Sequence, residues 1–157
     1  MKIFITYLLT AIISYWMVMF FFGVSAGFAN YSPILSVLGS VLLFSVVSPV
    51  LVFNSRLGLY GGIIASLLML PQGFMFVLGA LDDNVFNWGV ILVSLPFLLI
   101  VFNLFFTLNK VVKKDYSLKG IPVNNSFKMI LSGIPIMLFI VYLISIWEYL
   151  SLGMFKI

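Results

Sequence analysis

Five stretches of this chain are apolar for long enough to cross a lipid bilayer, and almost nothing charged interrupts them. They run from about Ile3 to Ala26, Pro33 to Phe53, Leu57 to Leu81, Phe86 to Leu108 and Phe127 to Leu150. A transmembrane helix needs roughly 20 apolar residues to cross about 30 Å of hydrocarbon, and each run meets that length. A membrane barrel strand takes only ~9–11 residues and alternates apolar with polar, which none of the runs does. Composition closes the remaining routes. Of the 157 residues 64% are hydrophobic and 8% charged, against about 25% charged in a soluble domain. So few charges cannot cover a water-soluble surface, and a chain this apolar does not stay disordered. The expected fold is all-α: a polytopic integral membrane protein, one transmembrane domain over residues 1–157, built as a five-helix bundle in a cytoplasmic-type cell membrane.

The connections fit that count. Asn30-Tyr31-Ser32-Pro33 is a turn whose proline can open the second helix, and Asn54-Ser55-Arg56 is a short polar break that predicts a tight antiparallel hairpin. Asp82-Asp83-Asn84 makes the third turn, and the one long connection is the basic loop 109–126. Cytoplasmic loops retain Lys and Arg. Five spans with the N-terminus inside put Lys2, Arg56, Lys110, Lys113, Lys114, Lys119 and Lys128 on the inner side and only Lys156 outside. N-in, C-out is therefore expected, with 109–126 cytoplasmic. The first run begins Met1-Lys2 and reaches a small-residue step at Val24-Ser25-Ala26, as a signal peptide would. Its apolar length of ~20 residues exceeds the usual 7–15 of a signal core, so it is expected to remain as a helix.

Chemistry is scarce. The chain has no Cys and no His, which removes thiolate nucleophiles, Ser–His–Asp triads and the common zinc, haem and iron–sulfur ligand sets. Its four carboxylates are Asp82, Asp83, Asp115 and Glu148. Only the first two are neighbours, and adjacent helical residues point about 100° apart, a poor geometry for an acid–base pair. Neither enzymatic activity nor a cofactor is expected. Nucleic-acid binding has no support either, since the Lys-rich connection is short and holds a single aromatic, Tyr116. Its lysines read first as topology determinants and second as an attraction for anionic lipid, at ~1 kcal/mol each.

Helices in lipid associate through small residues that let backbones approach. Gly58, Gly62 and Ser66 form such a face on the third helix; Thr6, Thr10 and Ser14 repeat the spacing on the first. The face serves either a partner or the bundle's own packing. Four of the six prolines, Pro49, Pro71, Pro96 and Pro135, fall inside helices, where each removes a backbone hydrogen bond. Kinks are expected there, with Ser45 and Ser132 placed to help locally. Three residues form the candidate intramembrane polar site. Gln72, within Pro71-Gln72-Gly73, lies about 5 Å from the midplane at ~1.5 Å per residue. Asn103 lies deep on the fourth helix with Thr107 one turn on. Glu148, flanked by Trp147 and Tyr149, reads as interfacial, or as a coupling carboxylate if turned inward. Two functions follow. One is a non-catalytic subunit or accessory protein whose helices dock a membrane partner. The other is a small oligomeric transporter or channel with a mid-membrane site near Gln72.

Overall fold

The computed structural model describes residues 2–28, 32–81, 88–117 and 124–151; the side chains of 16, 19–28, 32–33, 80–81, 88–93, 145–146 and 148–151 lie outside that description. The described residues form five helices and no strand: α1 Lys2–Phe28, α2 Ser32–Phe53, α3 Ser55–Leu81, α4 Trp88–Val112 and α5 Asn125–Ser151. Four of them contain segments long and apolar enough to cross a membrane: Ile34–Phe53, Ser55–Gly79, Ser94–Val112 and Asn125–Ile144. Large apolar side chains face outward along α4 and α5, among them Leu98, Phe105, Ile130 and Met137. An apolar surface of that extent is a liability in water and the ordinary outer surface of a protein dissolved in lipid.

Helices α1 to α4 form a ring in which each packs against the next and α4 returns to α1, while α5 lies outside it against α2. The α2–α3 hairpin turns on Asn54 alone. Its N–H still bonds Val50 O at 2.7 Å to finish α2, and its side-chain oxygen accepts the Leu57 N–H at 3.2 Å to cap α3. Beyond the turn the backbones run close. A Cβ on Gly58 would overlap the Cα of Leu51, and one on Gly61 would meet Val47 Cγ2 at 2.6 Å. Further along, Ser40 donates to Ala65 O at 2.6 Å and Ser36 to Leu68 O at 2.7 Å. Positions fall on α2 as they rise on α3, which is antiparallel packing.

Two local expectations differ from what is found. Pro49, Pro71, Pro96 and Pro135 lie inside α2 to α5 as expected, but neither serine serves a freed carbonyl. Ser45 donates to Val41 O at 3.0 Å, and Ser132 Oγ has no partner. The reason is geometric: Pro49 frees the carbonyl of Ser45 itself and Pro135 that of Leu131, whereas a helical serine reaches back three or four residues. The basic loop also starts later than its composition suggests, because α4 takes in Asn109 and Lys110. It ends in a Schellman motif, with Lys114 at φ 51°, Asp115 N bonded to Lys110 O at 2.9 Å and Lys114 N to Val111 O at 3.0 Å. That is the arrangement by which a left-handed residue closes the last turn.

Candidate functional site: a buried polar seam between α1 and α4

Tyr7, Thr10 and Ser14 recur at three- and four-residue steps, so they share one face of α1; Asn103 and Thr107 do the same on α4. The structure brings these faces together. Tyr7 Oη and Thr107 Oγ1 are 2.8 Å apart, and Asn103 Nδ2 donates to Thr10 Oγ1 at 2.5 Å and to Thr6 O at 3.4 Å. Tyr7, Thr10 and Thr107 have no exposed surface, and Asn103 has 1%, so the seam is sealed. The orientation of the Asn103 amide follows from its neighbours. Thr10 gives its hydroxyl proton to Thr6 O at 2.7 Å, so it can only accept from Asn103, and the nitrogen must face it. Asn103 Oδ1 then points away from the seam's donors and has no partner, as does Ser14 Oγ one turn above Thr10.

Tyr7 ties this seam to the rest of the ring. Its ring packs edge-on against Phe44 of α2, with centroids 5.4 Å apart at 63°. A Cβ on Gly62 of α3 would overlap its hydroxyl. One side chain of α1 thus touches α2, α3 and α4. A second phenol holds α5: Tyr142 donates to Ala11 O at 3.0 Å and stacks on Tyr15 at 4.5 Å and 7°. Sequence reasoning singled out neither tyrosine. The available signal was that a phenol within an apolar run must find a hydrogen-bond partner once buried.

The sequence-derived sites are placed as follows. Asn103 joins the seam with Thr107. Gln72 does not: its Oε1 is buried and unpartnered, its side chain is half-buried, and it makes no hydrogen bond to Asn103, whose Nδ2 is turned to α1. Its neighbour Gly73 lets α3 approach α4, since a Cβ there would meet Phe97 and Ile100 side-chain atoms at 3.2 Å. The side chain of Glu148 lies outside the described residues. Gly58 faces Leu51 and Gly62 faces Tyr7, while Ser66 is buried and bonds Gly62 O at 2.7 Å. The three small residues therefore meet neighbours within the chain.

At the end where α1 and α3 begin and α4 finishes, the polar groups are of another kind. Lys110 Nζ contacts Asp115 Oδ2 at 2.7 Å and Ser117 O at 2.9 Å, and Asp115 also accepts the Ser117 hydroxyl and N–H. The Lys110 ammonium and then the Ser117 donors hold the Asp115 carboxyl down at about 2. Arg56 lies over the Tyr116 ring, 5.6 Å from its centroid, and the hydrogen bond between Tyr116 and Tyr60 pushes the Tyr116 phenol up. Among the described residues no three His, Cys, Asp or Glu side chains gather as a metal ion would require. The chain was compared with protein-family models, curated proteins and solved structures, and none of them matches it.

Proposed function

We propose that this chain is a non-catalytic five-span membrane protein, N-in and C-out in a cytoplasmic-type membrane, that works by docking its helices against a partner membrane protein. The observation that carries this reading is how the interior polar and small groups are used. Thr107, Asn103 and Thr10 link α1 to α4, and Gly58 and Gly62 seat α2 and α1 on α3. These contacts hold the bundle together and leave its outer surface to act. The surface best suited to docking is the free side of α5, where Met129, Ile130 and Met137 are exposed and nothing lies within 4 Å of a Cβ built on Gly133. A small residue with open space above it lets a second helix come close, and methionine adapts to varied partners.

Native mass spectrometry after extraction in mild detergent tests the reading. A stoichiometric second polypeptide that Gly133→Leu releases is the expected result, and a complex that survives that substitution refutes the α5 face. A lone chain or a homo-oligomer overturns docking and moves the weight to transport. That second reading is favoured by two observations, the unpartnered amide oxygens of Gln72 and Asn103. Under it, Gln72→Leu abolishes flux into liposomes while folded yield stays intact.

A further inference from the structure

The cap of α4 does more than end a helix. By fixing Asp115 and Ser117 on Lys110, it delivers Tyr116 onto the first turns of α3, where its ring covers Arg56 and its hydroxyl comes to 3.5 Å from that of Tyr60. Arg56 and Lys114 both stand near the Tyr60 hydroxyl. Two cations and two phenols drawn from α3 and from the segment after α4 are thus gathered at one corner of the bundle.

The charges of this corner are unequally spent. Lys110 is neutralised by Asp115 in the single ion pair among the described residues, so Arg56 and Lys114 carry charge that no described carboxylate meets. The Tyr116 ring centroid lies 5.6 Å from the guanidinium carbon and Tyr60 engages one of the Arg56 donors; a guanidinium carries five N–H donors, in a fork that pairs with phosphate oxygens. Toward the bundle centre the same side of α3 is apolar. Ile64, Leu67 and Leu68 stand at helical steps from Tyr60 and are between 42% and 55% exposed. An anion alone would use only the cations. A phospholipid would use both the cations and the apolar stripe beside them, and phenols with an apolar body and a polar tip belong at that boundary.

We propose that this corner binds one anionic phospholipid, with its phosphate held by Arg56 and Lys114 beside the Tyr60 and Tyr116 hydroxyls and its acyl chains along Ile64, Leu67 and Leu68. The site is independent of the docking face on α5. The test uses the full chain in nanodiscs of phosphatidylcholine alone or mixed with phosphatidylglycerol, with retained lipid counted by native mass spectrometry and thermal unfolding followed by circular dichroism. The wild type is expected to retain one phosphatidylglycerol per chain and to melt higher in the mixed discs. Arg56→Gln with Lys114→Gln is expected to weaken that retention about thirtyfold, from two cations at the surface. Lys128→Gln removes a cation from the first turn of α5 and is expected to keep both effects. An equal loss in Lys128→Gln would show diffuse surface charge and overturn the site, as would a wild type that retains no phosphatidylglycerol. Inorganic phosphate that reproduces the thermal shift in phosphatidylcholine discs would overturn the lipid and leave a free-anion site.

Discussion

Replacing Gly62 by alanine adds one methyl group, and the surroundings of Tyr7 make it costly. The new Cβ would lie inside the van der Waals shell of the Tyr7 hydroxyl and ring, with Cε2 at 2.6 Å. Ordinary carbon–carbon separation is about 3.5–4.0 Å, so the ring must retreat by about 1 Å. Tyr7 has no exposed surface and is boxed by Phe44 and Thr107, which leaves nowhere to retreat without loss. Overpacking of this kind costs roughly 1–3 kcal/mol, and a lost interhelical hydrogen bond in a membrane averages about 0.6 kcal/mol. Alanine returns up to about 1 kcal/mol as the better helix former. The net expectation is a destabilisation of about 1–3 kcal/mol. Gly133→Ala, with open space around its Cβ, should gain about 0.5–1 kcal/mol. Reversible unfolding in mixed micelles with rising dodecyl sulfate, followed by circular dichroism, measures both. Tyr7→Leu supplies the control: once the ring is gone, Gly62→Ala should cost nothing, a coupling of at least about 1 kcal/mol. Equal effects at Gly62 and Gly133, or additivity with Tyr7→Leu, would refute the assignment of Tyr7 as the wedge.

Two further expectations can be checked independently. The Asp115 carboxyl is held at about 2, below its ordinary 3.8, so its contribution to the cap is complete above pH ~4 and is lost as pH falls toward 2. The Ser117 amide proton, followed by NMR in micelles, should titrate near that lower value, and Asp115→Asn should flatten the profile; a wild-type midpoint near 3.8 would dissolve the cap. Single cysteines at Asn84 and Ser117 in this Cys-free chain should label from opposite sides of the membrane, and labelling from one side would overturn the five-span topology.

Helix number and the hairpin at Asn54 could be read from the chain because both are local: apolar run length and a polar break decide them. The faces carrying Thr10 and Asn103 were also visible, since hydroxyls and amides stand out against leucine and phenylalanine. What the chain could not show is which faces meet. Membrane helices are apolar on nearly every side, so periodicity gives no inward direction of the kind a soluble amphipathic helix supplies. Tyr7 went unmarked for the same reason: only the neighbouring helices reveal that its hydroxyl reaches Thr107 and its ring fills the notch at Gly62. Gln72 illustrates the converse. Its chemistry is conspicuous in sequence, yet Gly73 beside it is explained by the close approach of α4, and α3 stays helical through Pro71.

The unequal attachment of the helices bears on where a partner would be felt. In hydrocarbon the apolar contacts between helices compete with equally apolar lipid, so specific polar bonds and close backbone approaches decide which pairs hold. The α1–α4 pair has Tyr7–Thr107 and Asn103–Thr10, and the α2–α3 pair has Gly58 on Leu51 with two serine-to-carbonyl bonds. These lock the four-helix ring into one register. Helix α5 has the Tyr142–Ala11 bond and the Tyr15 stack, while Ser132, though buried, bonds nothing. Among the described residues it is the helix with the fewest such polar bonds and close approaches. A partner that supplied a donor or a small-residue face to α5 would gain more order there than anywhere on the ring, which is the physical ground for placing the docking surface on α5.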